Sequence, residues 1–443
     1  MEVAGPRTLS HAPTRLLSGD LAHAVAYRAL LVAIAIGPAS SSLAIPGRGA
    51  DWTREPLFRL VDGPLMVIAA LQLLPVLARV RTVVRPGLRR TPADLGFVAF
   101  TAMVAWAGLS WAVYGRAIGG LMLVRLVASV GIADLVQRLP VTRRVVVLKT
   151  MVGLVVFEGI VCMAQLVVDG PIGLGVLGEG SDPFNRLGPW RAPMGTSYYP
   201  YPLSAVALLT LGLVLWAVDR RLLHPGWGVA GALGAGVIVG SGYSVVGAVM
   251  VVGIALAFVV RSLPAPSDRL ATGLGAPRFR GAASIVLVTF LGSLVVTGVS
   301  LGEGWQWKGE RSASSDAAVA SSGRADQIRV GLAVAEKWPL LGIGPGNFTV
   351  MRETHPELDR VSTDAQIPHS MPVLVAVEAG IPALALLVLA VAATLWRRPR
   401  RALVVLMAMS GYLAGDLMHW YTGFGVMQVG IWFGFLLVTR DEP

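Results

Sequence analysis

The residues best suited to chemistry sit in one polar segment, from Gly302 to His369, between two long apolar runs. Arg324 follows Gly323 at the head of a short helical pattern that reaches Trp338. A guanidinium beside a glycine at a helix start suits a phosphate or pyrophosphate, because its planar fork of donors matches the oxygens. A solvated or headgroup-facing arginine fits the same place. His369 stands between Pro368 and Ser370, where the polar segment enters the next apolar run. Histidine titrates near neutrality and can take a proton from a hydroxyl; an interfacial histidine with a hydrogen-bond partner is the plainer reading. Between the two lies Pro339 to Phe348. Its Gly342-x-Gly344-Pro345-Gly346 turn resembles a phosphate cradle superficially but lacks the strand, lysine and following helix of a P-loop. It reads as a tight turn where glycines allow close backbone approach, with Asn347 placed to cap or to bind sugar.

Ser322 or Gly323 can cap the helix at Arg324, and Asp326 in its first turn suits the helix dipole. Ile328, Leu332, Ala335 and Trp338 recur at helical spacing, so this stripe is expected to pack on the rest of the protein. Arg324 and Arg329 fall off it. A second polar stretch, 169–200, holds Asn185-Arg186 and the run from Trp190 through Arg191 and Gly195 to Pro200. Arginines and aromatics there can bind phosphate and stack on sugars, or form an interfacial belt. Arg125, Glu158, Glu378 and Asp416 lie inside apolar runs, where ionisable groups are costly and mark either function or pairing between helices. His11, His23, His224, His355 and His419 show no metal-ligand spacing, and no Asp-x-Asp occurs. The single Cys162 excludes an intrachain disulfide and a cysteine-rich metal site. No catalytic metal and no cofactor is expected.

The elements that position these residues are set by composition. Of 443 residues, 54% are hydrophobic and 14% charged, against roughly 25% charged in soluble domains. Repeated apolar runs of about 18 to 25 residues place the chain in a bilayer, where backbone groups must be satisfied within helices. The expected fold is an all-α polytopic membrane protein with about twelve spans. They fall near 24–45, 61–80, 94–114, 118–137, 143–168, 201–218, 227–240, 244–261, 281–301, 371–396, 402–418 and 424–439. The fourth is interrupted by Arg125 and Asp134, and the seventh and eighth could instead be a short re-entrant pair. The first run reads as a retained span rather than a signal peptide. Three regions result: spans one to nine with an outer loop at 169–200 (1–301), a large extracytoplasmic catalytic loop with short helices (302–370), and spans ten to twelve (371–443).

The basic clusters at Arg79 to Arg90, Arg138 to Lys149, Arg220-Arg221, Arg261 to Arg280 and Arg397 to Arg401 all fall on one side if both termini are cytoplasmic. That distribution accounts for the net charge of +11, so nucleic acid is not an expected partner; membrane lipids are.

Taken together, the ordered set of loop elements resembles the O-antigen ligase and O-antigen polymerase family of bacterial membrane glycosyltransferases. The resemblance rests on Arg324, Trp338, Pro339 to Phe348, His369-Ser370 and Glu378-Ala379-Gly380-Ile381, over roughly residues 320–385, together with the topology. It implies transfer of a glycan from a polyprenyl diphosphate carrier to a glycan or lipid acceptor hydroxyl, outside the bacterial cytoplasmic membrane. In that scheme His369 activates or orients the acceptor, and Arg324 holds the diphosphate and stabilises the leaving group without a metal. Arg191, Arg329, Asn347 and Tyr243 are the further candidates for binding substrate. Two positions depart from the family pattern. Ser241-Gly242-Tyr243-Ser244 stands where members often carry a Ser-Arg pair, leaving Arg191 as a substitute, and His369-Ser370 replaces His-Asn. The competing reading is a transporter or flippase for lipid-linked glycan, which would want polar groups along a midplane path and often internal repeats; no repeat is evident. A third is the other polyprenyl-dependent glycosyltransferase type, with Asp51 and Glu55 in the first outer loop.

Overall fold

In the computed structural model, the described residues are 14–39, 58–85, 91–187, 190–197, 200–242, 245–262, 281–300, 324–348, 350–351, 367–396, 399–415 and 418–441. They form an all-α protein. The long helices are α1 (Thr14–Ile36), α2 (Asp62–Val84), α3 (Pro92–Tyr114), α4 (Ala117–Arg138), α5 (Val141–Val168), α6 (Pro200–Asp219), α7 (Pro225–Ser241), α8 (Val245–Ser262) and α9 (Gly281–Ser300). They continue with α10 (Arg324–Lys337), α11 (Met371–Ala379), α12 (Ile381–Leu395), α13 (Pro399–Gly415), the single turn α14 (Met418–Tyr421) and α15 (Gly423–Asp441). Helices α2 to α6 are long and apolar enough to cross a membrane; shorter apolar helices lie within α7, α8, α9, α12, α13 and α15. One antiparallel hairpin, β1 (Phe184–Leu187) and β2 (Trp190–Pro193), interrupts the helical pattern in the 169–200 stretch.

Local chemistry sets several helix ends. Thr91 and Asp94 form a reciprocal capping box at the head of α3, with Pro92 in the first turn. His224 caps α7 through Nδ1, which accepts from the Gly226 N–H at 3.1 Å, followed by Pro225. Asp169 closes α5 in the left-handed region.

Packing puts α6 at the centre. It is apolar on every side and 94% of its most apolar window is buried, against 28% for α2, so α2 offers most of its surface outward. Small residues bring helices together. A Cβ on Gly234 would meet the Val155 carbonyl oxygen at 2.7 Å, and one on Gly159 would meet the Gly234 Cα at 3.0 Å, locking α5 to α7. Gly430 and Gly434 do the same between α15 and α4.

Two expectations change, and a third takes definite form. The first helix runs from Thr14 to Ile36 rather than from 24 to 45, since its polar lead is helical and Gly37-Pro38 ends it. The seventh and eighth runs form two distinct helices of 17 and 18 residues that pack on different partners, α7 on α9, α5 and α6, and α8 on α13. The tenth run is not continuous; it breaks at Gly380, with φ +86°.

The charges inside helices pair with one another. Arg125 donates from Nε and a terminal nitrogen to both oxygens of Asp62 at 2.8 and 2.6 Å, and from Nη1 to the Tyr421 carbonyl at 2.7 Å. Asp134 is bound by Arg79 at 2.7 Å and by Arg138 at 3.0 Å. Pairing, rather than a polar path, explains these two. Asp416 lies outside the described residues.

Candidate functional site

The break at Gly380 creates the seat for the glycine-rich turn. In an unbroken helix the Val377 carbonyl would accept from Ile381 and the Glu378 carbonyl from residue 382, which is a proline without an N–H. Here the Ile381 N–H turns away to the Pro339 carbonyl at 2.8 Å. The two freed carbonyls accept instead from Ile343 at 3.0 Å and Gly344 at 2.9 Å. The Ser110 hydroxyl lies 2.9 Å from the Glu378 carbonyl and 2.5 Å from that of Leu341, and Trp106 Nε1 donates to the Leu340 carbonyl at 3.1 Å. The turn is thus wedged between α3, α4 and the α11–α12 break. Positive φ at Gly342, Gly344 and Gly346 makes its path possible. A Cβ at Gly346 would strike Ile118 at 2.8 Å.

Below the turn sits Glu378, fully buried. Its carboxylate accepts from Trp420 Nε1 at 2.7 Å, from the Tyr421 hydroxyl, and from the backbone N–H groups of Gly346 and Phe348. This settles the superficial likeness to a phosphate cradle. The Gly342 and Asn347 N–H groups bond to the carbonyls of Trp338 and Gly344, Pro345 has none, and the other donors from 343 to 348 serve α11 or Glu378. The protein's own carboxylate fills the nest that an anion would need. Asn347 is likewise turned inward: it is buried, and its Nδ2 donates to the Ile343 carbonyl at 2.7 Å.

Helix α10 stands on this base. Its buried face is Gln327, Val330, Gly331, Val334 and Ala335; of the stripe read from the sequence Ala335 is buried and Trp338 packs partly buried on the core, while Ile328 and Leu332 turn away from it. Leu332 is 55% exposed. The pattern misled because Gly331 carries no side chain and Gln327 is polar. A Cβ on Gly331 would meet Val373 at 2.6 Å and Pro368 at 3.1 Å, so α10 lies tight on the entry to α11. His369 is half-buried there, its backbone N–H donating to Gln327 Oε1 at 3.4 Å. Arg324 opens α10, three residues before Gln327, so the two positions share a helix face; its side chain is outside the described atoms. Arg329 is exposed and paired with Asp326 at 3.0 Å.

The polar stretch that follows Val168 is anchored by α5. Glu158 accepts from the Thr196 N–H at 3.0 Å and from its hydroxyl. Gln165 bonds both the N–H and the carbonyl of Gly195, at 3.0 and 2.9 Å, and donates to Glu179 at 2.9 Å. Glu179 also receives the N–H groups of Ile172 at 2.8 Å and Leu174 at 2.6 Å. Burial alone would raise the Glu179 pKa. The hydrogen bonds from Gln165, Ile172, Leu174 and Gly173 outweigh it and hold the carboxyl below its ordinary value. Strand pairing then sets Arg186 opposite Arg191. The side chains of 185–191 and the whole of Tyr243, Asp51 and Glu55 lie outside the described residues.

Of the sequence candidates, Arg324 and His369 are therefore brought to adjoining elements, Asn347 belongs to the turn beneath them, and Arg329 faces outward. Among the described residues no three His, Cys, Asp or Glu side chains cluster as a metal would require. Gln327, Ser110, Trp420 and Tyr421 were missed. The last three act through contacts more than 40 residues apart in sequence, which no local pattern reveals.

Residues 202–388 match the family model described as O-antigen ligase. This stretch is an O-antigen ligase family domain. No curated protein matches the chain. The match runs from α6 into α12 and so contains the turn, α10, His369 and Glu378. Trp106, Ser110, Trp420 and Tyr421, which seat the turn and bind Glu378, come from outside it. The O-antigen ligase match thus covers the part of the chain that holds the turn and α10, and among the described residues it is accompanied by five helices long and apolar enough to cross a membrane.

Proposed function

We propose that the protein is a glycosyltransferase that moves a glycan from a polyprenyl diphosphate carrier to an acceptor hydroxyl, on the outer side of the bacterial cytoplasmic membrane. In this reading about twelve spans leave both termini cytoplasmic, and the ends of the helices near Tyr114, Tyr421 and His369 face outward. The acceptor oxygen attacks the anomeric carbon, its proton passes to His369, and the carbon–oxygen bond to the diphosphate breaks. Arg324 neutralises the charge that develops on the departing diphosphate, which is where fixed positive charge lowers a barrier most. No metal is needed for that division of labour.

The observation that carries this reading is the docking of α10 on the entry to α11, with the His369 N–H held by Gln327. It brings the element that begins with Arg324 against the residue that would activate the acceptor. The hairpin adds a second source of positive charge. Strand pairing sets Arg186 and Arg191 at opposed register positions. Arg191 is thereby the proposed substitute for the arginine that members carry where Tyr243 stands. Arg329 and Tyr243 remain candidates for contact with the sugar, whereas Asn347 is taken up by the turn.

The test is glycan transfer in membranes supplied with the host's polyprenyl diphosphate-linked glycan, comparing wild type with His369→Ala and Arg324→Ala at matched expression. Loss of transfer in both variants is expected, and product length separates a polymerase from a ligase. Full activity in both would refute the assignment.

A further inference from the structure

The buried face of α10 contains one polar residue, Gln327, and it is 1% exposed while Val330 and Val334 beside it are 0%. Burying a carboxamide costs free energy unless it is hydrogen-bonded, and an apolar residue would fill the same space. The Gln327 oxygen takes the His369 backbone N–H at 3.4 Å. The oxygen of this buried carboxamide is thus engaged with His369.

We propose that Gln327 is the positioning residue for His369 in the transfer reaction, an inference that rests on the glycosyltransferase reading above. The backbone at 368–370 is held from two sides. Below, the Ser370 N–H bonds to the Pro368 carbonyl at 2.8 Å and the Ser370 carbonyl receives Leu374 at 2.9 Å, which fixes the start of α11. Beside it, Pro368 and Val373 close on Gly331, and one turn earlier on α10 Gln327 reaches the His369 N–H. Gly331 sets how near α10 approaches, and Gln327 sets where along α10 the histidine sits. Arg324, three residues before Gln327, rides on the same helix face. A change at Gln327 therefore alters the spacing between the diphosphate-holding and hydroxyl-activating positions while replacing neither side chain.

The experiment compares Gln327→Met, which keeps the volume and loses the acceptor, with Gln327→Glu, which keeps an oxygen in place. Both are made in the full-length protein in lipid nanodiscs. Two quantities are read: amide hydrogen exchange in the peptide covering 367–371, and kcat and KM for glycan transfer from the polyprenyl diphosphate donor. One backbone hydrogen bond of ordinary net strength corresponds to a change of about tenfold at most. The methionine variant is expected to exchange the His369 amide about tenfold faster and to lose about tenfold in kcat with donor KM unchanged. The glutamate variant is expected to stay within about threefold of wild type in both. Unchanged exchange in the methionine variant overturns the proposal, as does faster exchange with unchanged kcat. Equal losses in both variants also overturn it, because keeping the acceptor oxygen would then make no difference. Wild type without transfer defeats the glycosyltransferase reading itself and this proposal with it. An active wild type that loses activity in His369→Ala but not in Gln327→Met defeats only the role given to Gln327.

Discussion

Replacing Glu378 should be the most destabilising single change in the site, and its size can be worked from the contacts. Four donors converge on the carboxylate: Trp420 Nε1, the Tyr421 hydroxyl, and the N–H groups of Gly346 and Phe348. Glu378→Ala leaves all four facing a cavity. A buried donor left without a partner costs about 1–3 kcal/mol, so the sum is about 4 kcal/mol at its lower bound, in the range reserved for broken buried networks. Glu378→Gln keeps one oxygen and presents an NH2 group to the donors that had used the other, for about 2–4 kcal/mol. Tyr421→Phe removes one donor while three remain, for about 1 kcal/mol. The expected order of loss is Tyr421→Phe, then Glu378→Gln, then Glu378→Ala. The assay is the thermal midpoint of the purified full-length protein in detergent, followed by size-exclusion recovery. In the same series, protease access to 339–348 should rise as stability falls, because the carboxylate holds that turn. If Glu378→Ala were as stable as Tyr421→Phe, the carboxylate would not be the anchor of the turn, and the reasoning would fail.

Two further outcomes follow from the paired charges and the second loop. Arg125→Met strands Asp62, which is 1% exposed, and should cost about 3–5 kcal/mol, while the double variant with Asp62→Asn should recover part of it; thermal midpoints of the three proteins check this. Glu179 has a pKa lowered by folding, so it contributes stability that is present above its unfolded value, about 4.3, and is lost as pH falls through the folded one. Pepsin should therefore cut 169–187 increasingly as pH drops below about 4. Glu179→Gln should flatten that dependence, and an unchanged profile would remove Glu179 as its source.

The helix positions were legible because lipid-compatible helices announce themselves by length and hydropathy. Ten of the twelve expected runs meet helices whose bounds differ by a few residues, the tenth is divided into α11 and α12, and α1 differs by about ten at each end. What the pattern hid has specific causes. Hydropathy averages over Gly380-Ile381-Pro382 and cannot see a break whose polar groups are satisfied by a turn about 40 residues away. Periodicity favoured Ile328 and Leu332 on α10, whereas the buried face is built from Gln327 and Gly331, one polar and one without a side chain. Glu378 and Glu158 were recognised as costly in their helices, but their purpose depended on backbone from distant loops: Gly346 and Phe348 for one, Thr196 for the other. The hairpin of 184–193 carries too short an alternation to be read as strands.

The two short motifs that looked separate in the sequence, Pro339 to Phe348 and Glu378 to Ile381, are two halves of one device. Irregular backbone is tolerated at membrane depth only where protein satisfies it. The turn brings surplus N–H groups and the broken helix brings surplus carbonyls, made surplus by Pro382, which has no N–H to give. Joining them satisfies both, and the Glu378 side chain takes the donors that remain. The same glutamate reaches Trp420 and Tyr421, and the Tyr421 carbonyl receives Arg125, which binds Asp62. A continuous chain of hydrogen bonds therefore runs from the turn beneath His369 to α2 and α4. His369 stands nine residues before Glu378 on that base, and α10 rests against it through Gln327 and Gly331. The two proposed reacting positions are thus referenced to the rigid helices rather than to the loop itself, which is what the proposed transfer from a large, mobile donor would require of its scaffold.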